Sequence, residues 1–534
     1  MEAMIFISNL GGMIPRLNAA MLPDTAAQLA LNCTLWNGDL RPLKSPLAVV
    51  TPGALGGAIK SIYRIGMALP ETQYWMAWTT DVDVVRGMIA GDTSERTYFT
   101  GNGVPKVTNL QMATQGGTSY PVNSYALGVP APAAAPICVP NASTAPAETR
   151  VYIFTYVSAW GEEGAPSPPR SVAVTEGGSV QLTALATAPG GNYNLVSKRI
   201  YRSQQVAGGA PIYQFVAEIA NATTSYNDTL KSTQLGEELS TLHYAMPPAS
   251  LTGLVALPNG IMAGFSGSDL YFCEPYLPYA WPEKYRLTTD FQIVGLGVFG
   301  SSLLVCTKGS PYLVTGVHPD GMSMERIELD QSCVSKRSIV SVGGGVMYAS
   351  PDGLLYVGAG GSRVVTAGLY TRAEWQALDP STINGYFYDG KYIALYAGGG
   401  FILNSIEDTS LTKFDEAVTA GYSDPINDAL YLSIGGSIRK FNAGADKTYT
   451  WRSKKFQRFA RPMYACARVD ADSYPVTLNI YADGVLKHTK AVADEDIFRI
   501  PGGYRPREVE IELTGTARVR MVGLADNPKE LKIG

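Results

Sequence analysis

Residues 345–358 read GVMYASPDGLLYVG, in which two runs of aliphatic and aromatic residues flank a Pro-Asp-Gly turn. This pattern predicts a tight antiparallel hairpin. Similar hairpins recur along the chain, and spacings of 37 to 46 residues separate their apex glycines, which are Gly267, Gly309, Gly353, Gly399 and Gly436. A unit of several strands that repeats at this interval is typical of β-propeller blades.

Five of these units lie in residues 245–448, and the alternating runs of residues 55–127 predict a first blade region. The sequence therefore predicts an all-β chain built on a propeller of about six blades, because one blade cannot bury both of its faces alone. The alternative is an irregular stack of antiparallel hairpins. The 56 glycines, 34 prolines and 31 tyrosines agree with many short strands and tight turns.

The remaining segments predict four further parts. Residues 1–54 form an extended segment with a short helix, which begins at Pro23-Asp24 and continues through TAAQLALN. Residues 128–147 are a Pro-rich linker. Strand-like runs in 148–235 predict an inserted sandwich of the immunoglobulin or fibronectin-III type, and 449–534 predict a small C-terminal β-sandwich.

Composition and charge exclude several classes of protein. The net charge of −4 argues against a protein that grips nucleic acid, which needs a clustered surplus of Lys and Arg. The chain has no apolar run long enough to span a bilayer and does not start like a secretory signal. We therefore expect a soluble protein, made in a cytoplasm and not inserted into a membrane.

Six cysteines are scattered along the chain, and none lies closer than 27 residues to the next. This spacing predicts small buried residues in a reducing compartment and not a disulfide framework or a metal site. They are Cys33, Cys138, Cys273, Cys306, Cys333 and Cys466.

No catalytic, cofactor-binding or metal-binding residue can be assigned from the motifs. The chain has three histidines, far apart and without an HExxH or CxxC motif, and they are His243, His318 and His488. There is no G-x-S-x-G elbow, and Gly390-Lys391 is followed by Tyr392, so no phosphate loop is present. The sequence therefore predicts that the protein is not an enzyme and needs no cofactor.

Acidic residues cluster at Asp81/Asp83, at Asp470/Asp472 and at Asp494-Glu495-Asp496. A pair of convergent carboxylates could cleave a glycan, but exposed loop acids are the favoured interpretation. The turn from Ser350 to Gly353 lacks the spacing of a sialidase Asp box and is an ordinary hairpin turn. The N-x-[ST] triplets carry no weight without a secretory route, and they begin at Asn32, Asn141, Asn221 and Asn227.

Two clusters could bind a partner. Basic residues gather near Trp451, where a solvated strand edge or a subunit contact is favoured over nucleic-acid binding; they are Arg452, Lys454, Lys455, Arg458 and Arg461. The segment EPYLPYAWPE holds the best candidate for a glycan platform, made of Tyr276, Tyr279 and Trp281. Packing in a loop between blades is the favoured interpretation of those aromatics.

Five groups of segments together resemble the nozzle subunits, of the tail tubular protein B type, that end the tails of short-tailed bacteriophages. They are NLGGMIPRLNAAMLPDTAAQLALNCTLWNGDLRPLKSP (9–46); RTYFTGNGVPKVTN (96–109); TYVSAWGEEGAPSPP (155–169) with KRIYRS (198–203), FVAEI (215–219) and TSYNDT (224–229); CVSKRSIVSVGGGVMYASPDGLLYVG (333–358); and WRSKKF (451–456) with YPVTLNIYADG and FRIPGGYRPREVEIELTG. In a standard fibronectin-III module the IYRS and SYNDT elements precede the TYVSAWGEEGAPSPP strand, whereas here they follow it.

The resemblance implies a virion structural protein, assembled in the cytoplasm of the host bacterium and located in the tail. Its copies would form a six-membered ring through which phage double-stranded DNA passes without specific binding. The ring would dock on an adaptor protein below the portal, and tail fibres would be further neighbours. Such a channel gains from walls without fixed positive patches, which would hold DNA through its phosphates. The alternatives are a propeller that binds a host-surface glycan and a glycan depolymerase.

Overall fold

A computed structural model describes residues 4–89, 91–141, 147–175, 177–204, 212–403, 410–458 and 461–532. Strands make up 46% of the chain and helices 7%, which confirms the all-β prediction. The chain forms two compact units: Met1–Thr79 with Cys306–Pro311 and Ile327–Gly534, and Thr80–Val305 with Tyr312–Arg326. Within the described ranges, no helix has the length and apolar character needed to cross a membrane.

The N-terminal segment is built of strands, which are β1 (Ile5–Ile7), β2 (Ala27–Leu31), β3 (Cys33–Trp36), β4 (Asp39–Pro42) and β5 (Leu47–Val50). The predicted helix after Pro23-Asp24 is therefore wrong, because β2 occupies that position. Ala27 and Ala30 of β2 are fully buried, and β2 pairs with residues 450–453. The high helix propensity of alanine and leucine is outweighed here by pairing and burial within a large sheet.

Residues 61–126 form two sheets where the sequence predicts one blade. The elements are β6 (Ser61–Arg64), β7 (Trp75–Trp78), β8 (Asp83–Arg86), β9 (Thr97–Thr100), β10 (Lys106–Thr108), α1 (Leu110–Thr114) and β11 (Tyr125–Ala126). β6 pairs with β7, and the order of the second sheet is β11-β10-β9-β8. The two sheets belong to different compact units, which meet in the sequence at Thr79 and Thr80. Alternation of residues alone does not show where one sheet stops and the next begins.

A β-sandwich follows, formed by β12 (Ile137–Pro140), β13 (Ala147–Ser158), β14 (Arg170–Thr175), β15 (Val180–Thr183), β16 (Leu195–Gln204), β17 (Ile212–Ala220) and β18 (Tyr226–Asp228). The sheet β12-β15-β18 and the sheet β14-β13-β16-β17 share one core, which includes Phe154, Leu182 and Ile200. β12 lies within the predicted linker, so the linker is shorter than the prolines suggest; residues 142–146 of it lie outside the described residues. Prolines are tolerated because β12 is an edge strand.

The sandwich keeps the permuted strand order seen in the sequence. KRIYRS lies in β16 and SYND at β18, both after β13, which holds the segment TYVS. β13 and β16 are nevertheless paired neighbours from Tyr152 to Ser158. The chain order therefore differs from that of a fibronectin-III module, while the pairing of these two strands is preserved.

The sandwich extends beyond the predicted boundary at residue 235. Gly236 donates its N–H to the carbonyl of Phe215, and Leu239 donates its N–H to the carbonyl of Tyr213. Thr241 donates its hydroxyl to the carbonyl of Gly164 at 2.8 Å. We therefore place the end of the sandwich at residue 241.

We expect that deleting residues 131–241 and joining the ends with a short Gly/Ser link leaves the rest of the chain soluble and folded. The matched deletion of 131–235 should be less stable, because it exposes Leu239, which packs on the core of the sandwich. Thermal unfolding of the two deletions gives the comparison. If the longer deletion unfolds the rest of the chain, the sandwich is part of its core.

Five further sheets follow along the chain. Their elements are β19 (Thr252–Leu257), β20 (Ile261–Ser266), β21 (Asp269–Phe272), β22 (Leu287–Thr288), β23 (Ile293–Phe299), β24 (Ser302–Thr307), β25 (Tyr312–Thr315), β26 (Ser323–Arg326), β27 (Val340–Val342), β28 (Gly345–Ser350), β29 (Gly353–Gly358), β30 (Gly361–Val364), α2 (Arg372–Ala377), β31 (Asn384–Tyr388), β32 (Lys391–Tyr396), β33 (Gly399–Leu403), β34 (Leu411–Phe414), β35 (Ala420–Asp424), β36 (Ala429–Ile434) and β37 (Ser437–Lys440). Each sheet is antiparallel, and β5 supplies the fourth strand beside β37.

The five apex glycines lie in five different sheets, each between the second and third strands, as the sequence predicts. The sheets pack side by side through their first strands. In one unit β27 contacts β31, β31 contacts β35 and β35 contacts β6; in the other, β8 contacts β19 and β19 contacts β23. Packing of successive first strands is the arrangement of propeller blades.

The C-terminal strands are β38 (Tyr449–Ser453), β39 (Phe456–Gln457), β40 (Cys466–Ala471), β41 (Val476–Ala482), β42 (Val485–Val492), β43 (Phe498–Arg499), β44 (Glu508–Gly515) and β45 (Val519–Ala525). They do not form a sandwich alone. β1 and β4 pair with β45, and β2 lies between β34 and β38 in a ten-stranded sheet. The N-terminal and C-terminal segments therefore share one core, which includes Ile5, Leu40 and Val522.

Candidate functional site

The basic residues near Trp451 are held by acidic residues of the same chain. Arg452 of β38 contacts the carboxylate of Glu510 at 2.7 Å and lies 3.9 Å from the centre of the Tyr481 ring. Lys454 contacts Asp24 at 2.9 Å, and Lys455 contacts Glu508 at 3.5 Å. Three of the five cations in the predicted cluster are therefore paired within the chain.

The acidic partners come from alternate positions of β44. Glu508, Glu510 and Glu512 project on one face of this strand, because side chains of a strand alternate between its two faces. Glu510 is 1% exposed and also accepts a hydrogen bond from Gln28. Sequence reasoning missed these residues, although the period-2 glutamates of EVEIELTG are the signal that could have found them.

The remaining cations of this region, Arg458 and Arg461, have no ion-pair partner within the described ranges. Arg458 lies 5.8 Å from the centre of the Phe456 ring. The predicted cluster therefore divides into a paired part on β38 and β39 and an unpaired part beyond β39.

The candidate carboxylates do not converge on an acid–base pair. Asp470 contacts Arg520 at 3.0 Å, and Asp472 contacts Arg518 at 3.4 Å, so both are held ionised by arginine. The hydrogen bond from Arg518 to Asp39 raises the pKa of its guanidinium. These acids are tied into ion pairs on the surface of the C-terminal sandwich.

The other acidic clusters lie apart from these residues. Asp81 is exposed in the loop before β8, and Asp83 accepts the backbone N–H of Gly253 at 3.0 Å. The run from Asp494 to Asp496 is exposed in the loop after β42. The structure therefore offers no pair of these carboxylates arranged for glycan cleavage among the residues it describes.

The three histidines are also separate. His243 is exposed, and His318 accepts the backbone N–H of Asp320 through Nδ1 at 3.2 Å. His488 lies on β42, where burial and the nearby Lys490 lower its pKa. No cluster of three His, Cys, Asp or Glu side chains suited to a metal ion occurs in the described part of the chain.

The six cysteines are free thiols, five of them buried and Cys138 half-buried. Burial raises the pKa of Cys138 to about 11 and that of Cys273 to about 12. Thiols of this kind are protonated and unreactive at neutral pH. The prediction that the cysteines act as small buried residues is confirmed in that respect.

The candidate glycan platform is broken up by burial. Trp281 is 2% exposed, packs in the core beneath β19 and β20, and donates its indole N–H to the carbonyl of Pro278 at 2.8 Å. Tyr279 is half-buried, and Tyr276 is 55% exposed. Only Tyr276 of the three therefore presents most of its ring to solvent.

Two buried ion pairs, also missed from the sequence, lie inside the scaffold. Arg64 of β6 contacts Asp424 of β35 at 3.0 Å, and their side chains are 3% and 0% exposed. In the sandwich, Arg202 contacts Asp228 at 2.7 Å, and Tyr152 donates its hydroxyl to the same carboxylate at 2.6 Å. Each pair joins neighbouring elements of the fold and is positioned for structure rather than for chemistry.

Comparison with known proteins finds no matching family model and no matching curated protein. Similar solved structures include BBS1N in complex with ARL6DN, at 12% identity and a TM-score of 0.26, covering 56% of this chain and 91% of that one. Hsv2 of Kluyvelomyces marxianus gives 9% identity, a TM-score of 0.26 and coverage of 53% and 90%. PorZ of Porphyromonas gingivalis, a bacterial surface component of the type-IX secretion system, gives 9% identity, a TM-score of 0.27 and coverage of 89% and 82%.

These solved structures are β-propeller-like proteins and are unrelated to phage nozzle proteins. At TM-scores below 0.3, they carry no argument about the function of this chain.

Proposed function

We propose that this chain is the tail-nozzle subunit of a short-tailed bacteriophage. Six copies form a ring-shaped channel through which phage DNA is ejected into the host, and the ring docks on an adaptor protein below the portal. The proposal starts from the five groups of nozzle-like segments, which are spread over most of the chain. The protein is structural, is not an enzyme, needs no cofactor and resides in the virion.

The single observation that carries the proposal is the internal pairing of the basic residues on β38 and β39. A wall that grips DNA presents cations to phosphates, and each contact adds to the salt-dependent affinity. Here Arg452, Lys454 and Lys455 are held by Glu510, Asp24 and Glu508. This pairing suits a channel that lets a polyanion slide past.

We also propose that the repeated sheets are blades of one propeller from which the sandwich of β12–β18 projects. The contacts between successive first strands within each unit support this arrangement. The sequence places the count near six because it takes residues 55–127 as one blade, and the two sheets described there would add one to that count.

The direct test is the mass of the assembled particle together with the affinity of the chain for linear duplex DNA. We expect a closed ring and a dissociation constant weaker than about 1 µM at about 150 mM salt, measured by fluorescence anisotropy. Because a nozzle can await its adaptor, the mass is also measured on intact particles. Sub-micromolar binding with a steep salt dependence would contradict the passive channel.

A matched pair of variants sharpens this test. Glu508→Gln/Glu510→Gln keeps the shape of both side chains but releases Arg452 and Lys455 from their carboxylates. We expect DNA affinity at low salt to rise several-fold, about the effect of two added phosphate contacts. The control, Glu283→Gln/Asp389→Asn, removes the same charge from exposed positions elsewhere and should change the affinity little.

The alternative, a propeller that binds a host-surface glycan, would need exposed aromatics grouped on one face. The burial of Trp281 removes the best candidate for such a group. Binding of an oligosaccharide by a strictly monomeric protein would favour this alternative over the nozzle.

A further inference from the structure

Four arginines gather at one end of the C-terminal sandwich, and we call them the arginine patch. They are Arg458, Arg461, Arg505 and Arg507. The backbone joins them: Arg458 donates its N–H to the carbonyl of Arg507 at 2.8 Å, and Arg461 donates its N–H to the carbonyl of Arg458 at 3.2 Å. Three of the side chains are exposed, and that of Arg458 is half-buried.

No member of the arginine patch has an ion pair with a residue that the structure describes, unlike the neighbouring Arg452, Lys454 and Lys455. The carboxylate of Asp483 is turned toward the backbone, where it accepts the N–H groups of Arg507 and Glu508. The guanidinium groups are therefore available to an acidic partner.

The surroundings of the patch have the composition of a protein interface. Met463 is 46% exposed, and the buried hydroxyl of Tyr504 has no hydrogen-bond partner among the described residues. Arginine, tyrosine and methionine are enriched where proteins bind one another. A buried hydroxyl without a partner is also costly, and a contacting chain could satisfy it.

An acidic loop lies at the opposite end of the same domain. Asp494, Glu495 and Asp496 are all exposed, and none of them forms an ion pair with a described residue. Asp483, which anchors Arg507, immediately precedes the hairpin that starts β42, whereas the acidic loop follows the end of β42. A strand of eight residues spans about 26 Å, so the two charged surfaces are separated by about the length of the domain.

We propose that the arginine patch binds the acidic loop Asp494–Asp496 of a second copy of this chain. Opposite charges at opposite ends of one rigid domain favour a head-to-tail contact, in which each copy uses both surfaces. Such contacts repeat and close into a ring when the rotation allows, and that closure rests on the proposed function. DNA phosphates are the competing occupant, but they would leave the unpaired acidic loop without a role.

Sedimentation velocity of the full chain, between about 1 and 100 µM and at about 50 mM salt, measures this contact. The variants Arg505→Glu/Arg507→Glu and Asp494→Lys/Asp496→Lys each reverse one surface. We expect each to weaken self-association at least about tenfold, and the combined four-substitution variant to restore it. The control Lys231→Glu/Lys308→Glu reverses two exposed cations outside the patch and should leave association unchanged.

Mixing the two single-surface variants gives a second readout. The reversed patch of one then matches the reversed loop of the other, so heterodimers should form but no larger species. Absence of self-association in the wild type, or equal association of all variants, would overturn the inference. Wild-type DNA binding that the Arg505→Glu/Arg507→Glu variant abolishes would assign the patch to phosphates instead.

Failure of this inference and failure of the proposed function give different results. A ring that assembles equally well from every variant overturns the head-to-tail contact and leaves the channel proposal standing. Tight DNA binding by the wild type contradicts the channel proposal itself.

Discussion

Replacing Asp424 by alanine is expected to lower the free energy of unfolding by about 3–5 kcal/mol. The substitution leaves the guanidinium of Arg64 buried without its carboxylate, and a buried unpaired charge is far less stable than one in water. It also removes the acceptor for the N–H groups of Ile426 and Asn427, which holds the turn after β35. Urea unfolding followed by tryptophan fluorescence measures the loss.

Two variants control for this effect. Asp389→Ala removes the carboxylate of an exposed pair with Lys391, and surface pairs contribute only about 0–1 kcal/mol. The double variant Arg64→Leu/Asp424→Leu removes both buried charges and should recover part of the lost stability. Equal losses for Asp424→Ala and Asp389→Ala would show that the buried pair contributes no more than a surface pair.

The same pair predicts a dependence of stability on pH. Burial opposes ionisation of Asp424, but hydrogen bonds from Asn427, Ile426 and Arg64 outweigh it and lower the pKa of the carboxyl group. A folded pKa below the unfolded value of about 3.9 means that the contribution is complete above that value and is lost as pH falls through the folded pKa. Asp424→Asn should therefore flatten the acid limb of a stability profile between about pH 5 and pH 2.

A chain that begins at residue 44 is expected to lose the fold of the C-terminal sandwich. The truncation removes β1 and β4 from β45, and removes β2 from its place between β34 and β38. It also removes eight residues of the buried core, which are Ile5, Ile7, Leu10, Met13, Ala27, Ala30, Cys33 and Leu40. Burial of each large aliphatic side chain contributes about 1.5–3 kcal/mol, so the summed loss reaches the total stability of a typical domain.

Hydrogen exchange followed by mass spectrometry measures this loss segment by segment. Protection should disappear in β38 and β45, while β28 and β29 keep most of theirs. The control Gln28→Ala removes only the hydrogen bonds from β2 to Ser453 and Glu510 and should cost about 1–2 kcal/mol without loss of protection. Unchanged protection in β45 after truncation would mean that the C-terminal strands fold alone.

Local patterns predicted the repeated hairpins well. The turn at Gly353, for example, needs glycine because φ is +158° and a Cβ would lie 2.5 Å from the hydroxyl of Thr366. The strands on both sides carry their own signal, so the placement of this hairpin required no knowledge of distant residues. The same reasoning explains why the five apexes fall in five sheets.

Long-range pairing was not accessible to the same reasoning. Leu31 of β2 lies opposite Lys413 and Thr450, and nothing in TAAQLALN indicates partners so far along the chain. The sequence alone therefore favoured a helix, and it likewise gave no sign that Arg64 and Asp424 would meet. The pairing of Arg452 with Glu510 was within reach, since both lie on strands whose alternation is visible in the sequence.

The pairing of β5 with β37 and of β1 with β45 has a consequence for synthesis of the chain. Leu47–Val50 leaves the ribosome almost 400 residues before Ser437–Lys440, its partner strand. At about 5–20 residues per second, these early strands wait roughly 20–80 s with their edges unpaired. Exposed strand edges invite pairing with other nascent chains. We therefore expect the yield of folded protein to depend on translation speed and on chaperones that cover the first 50 residues during that interval.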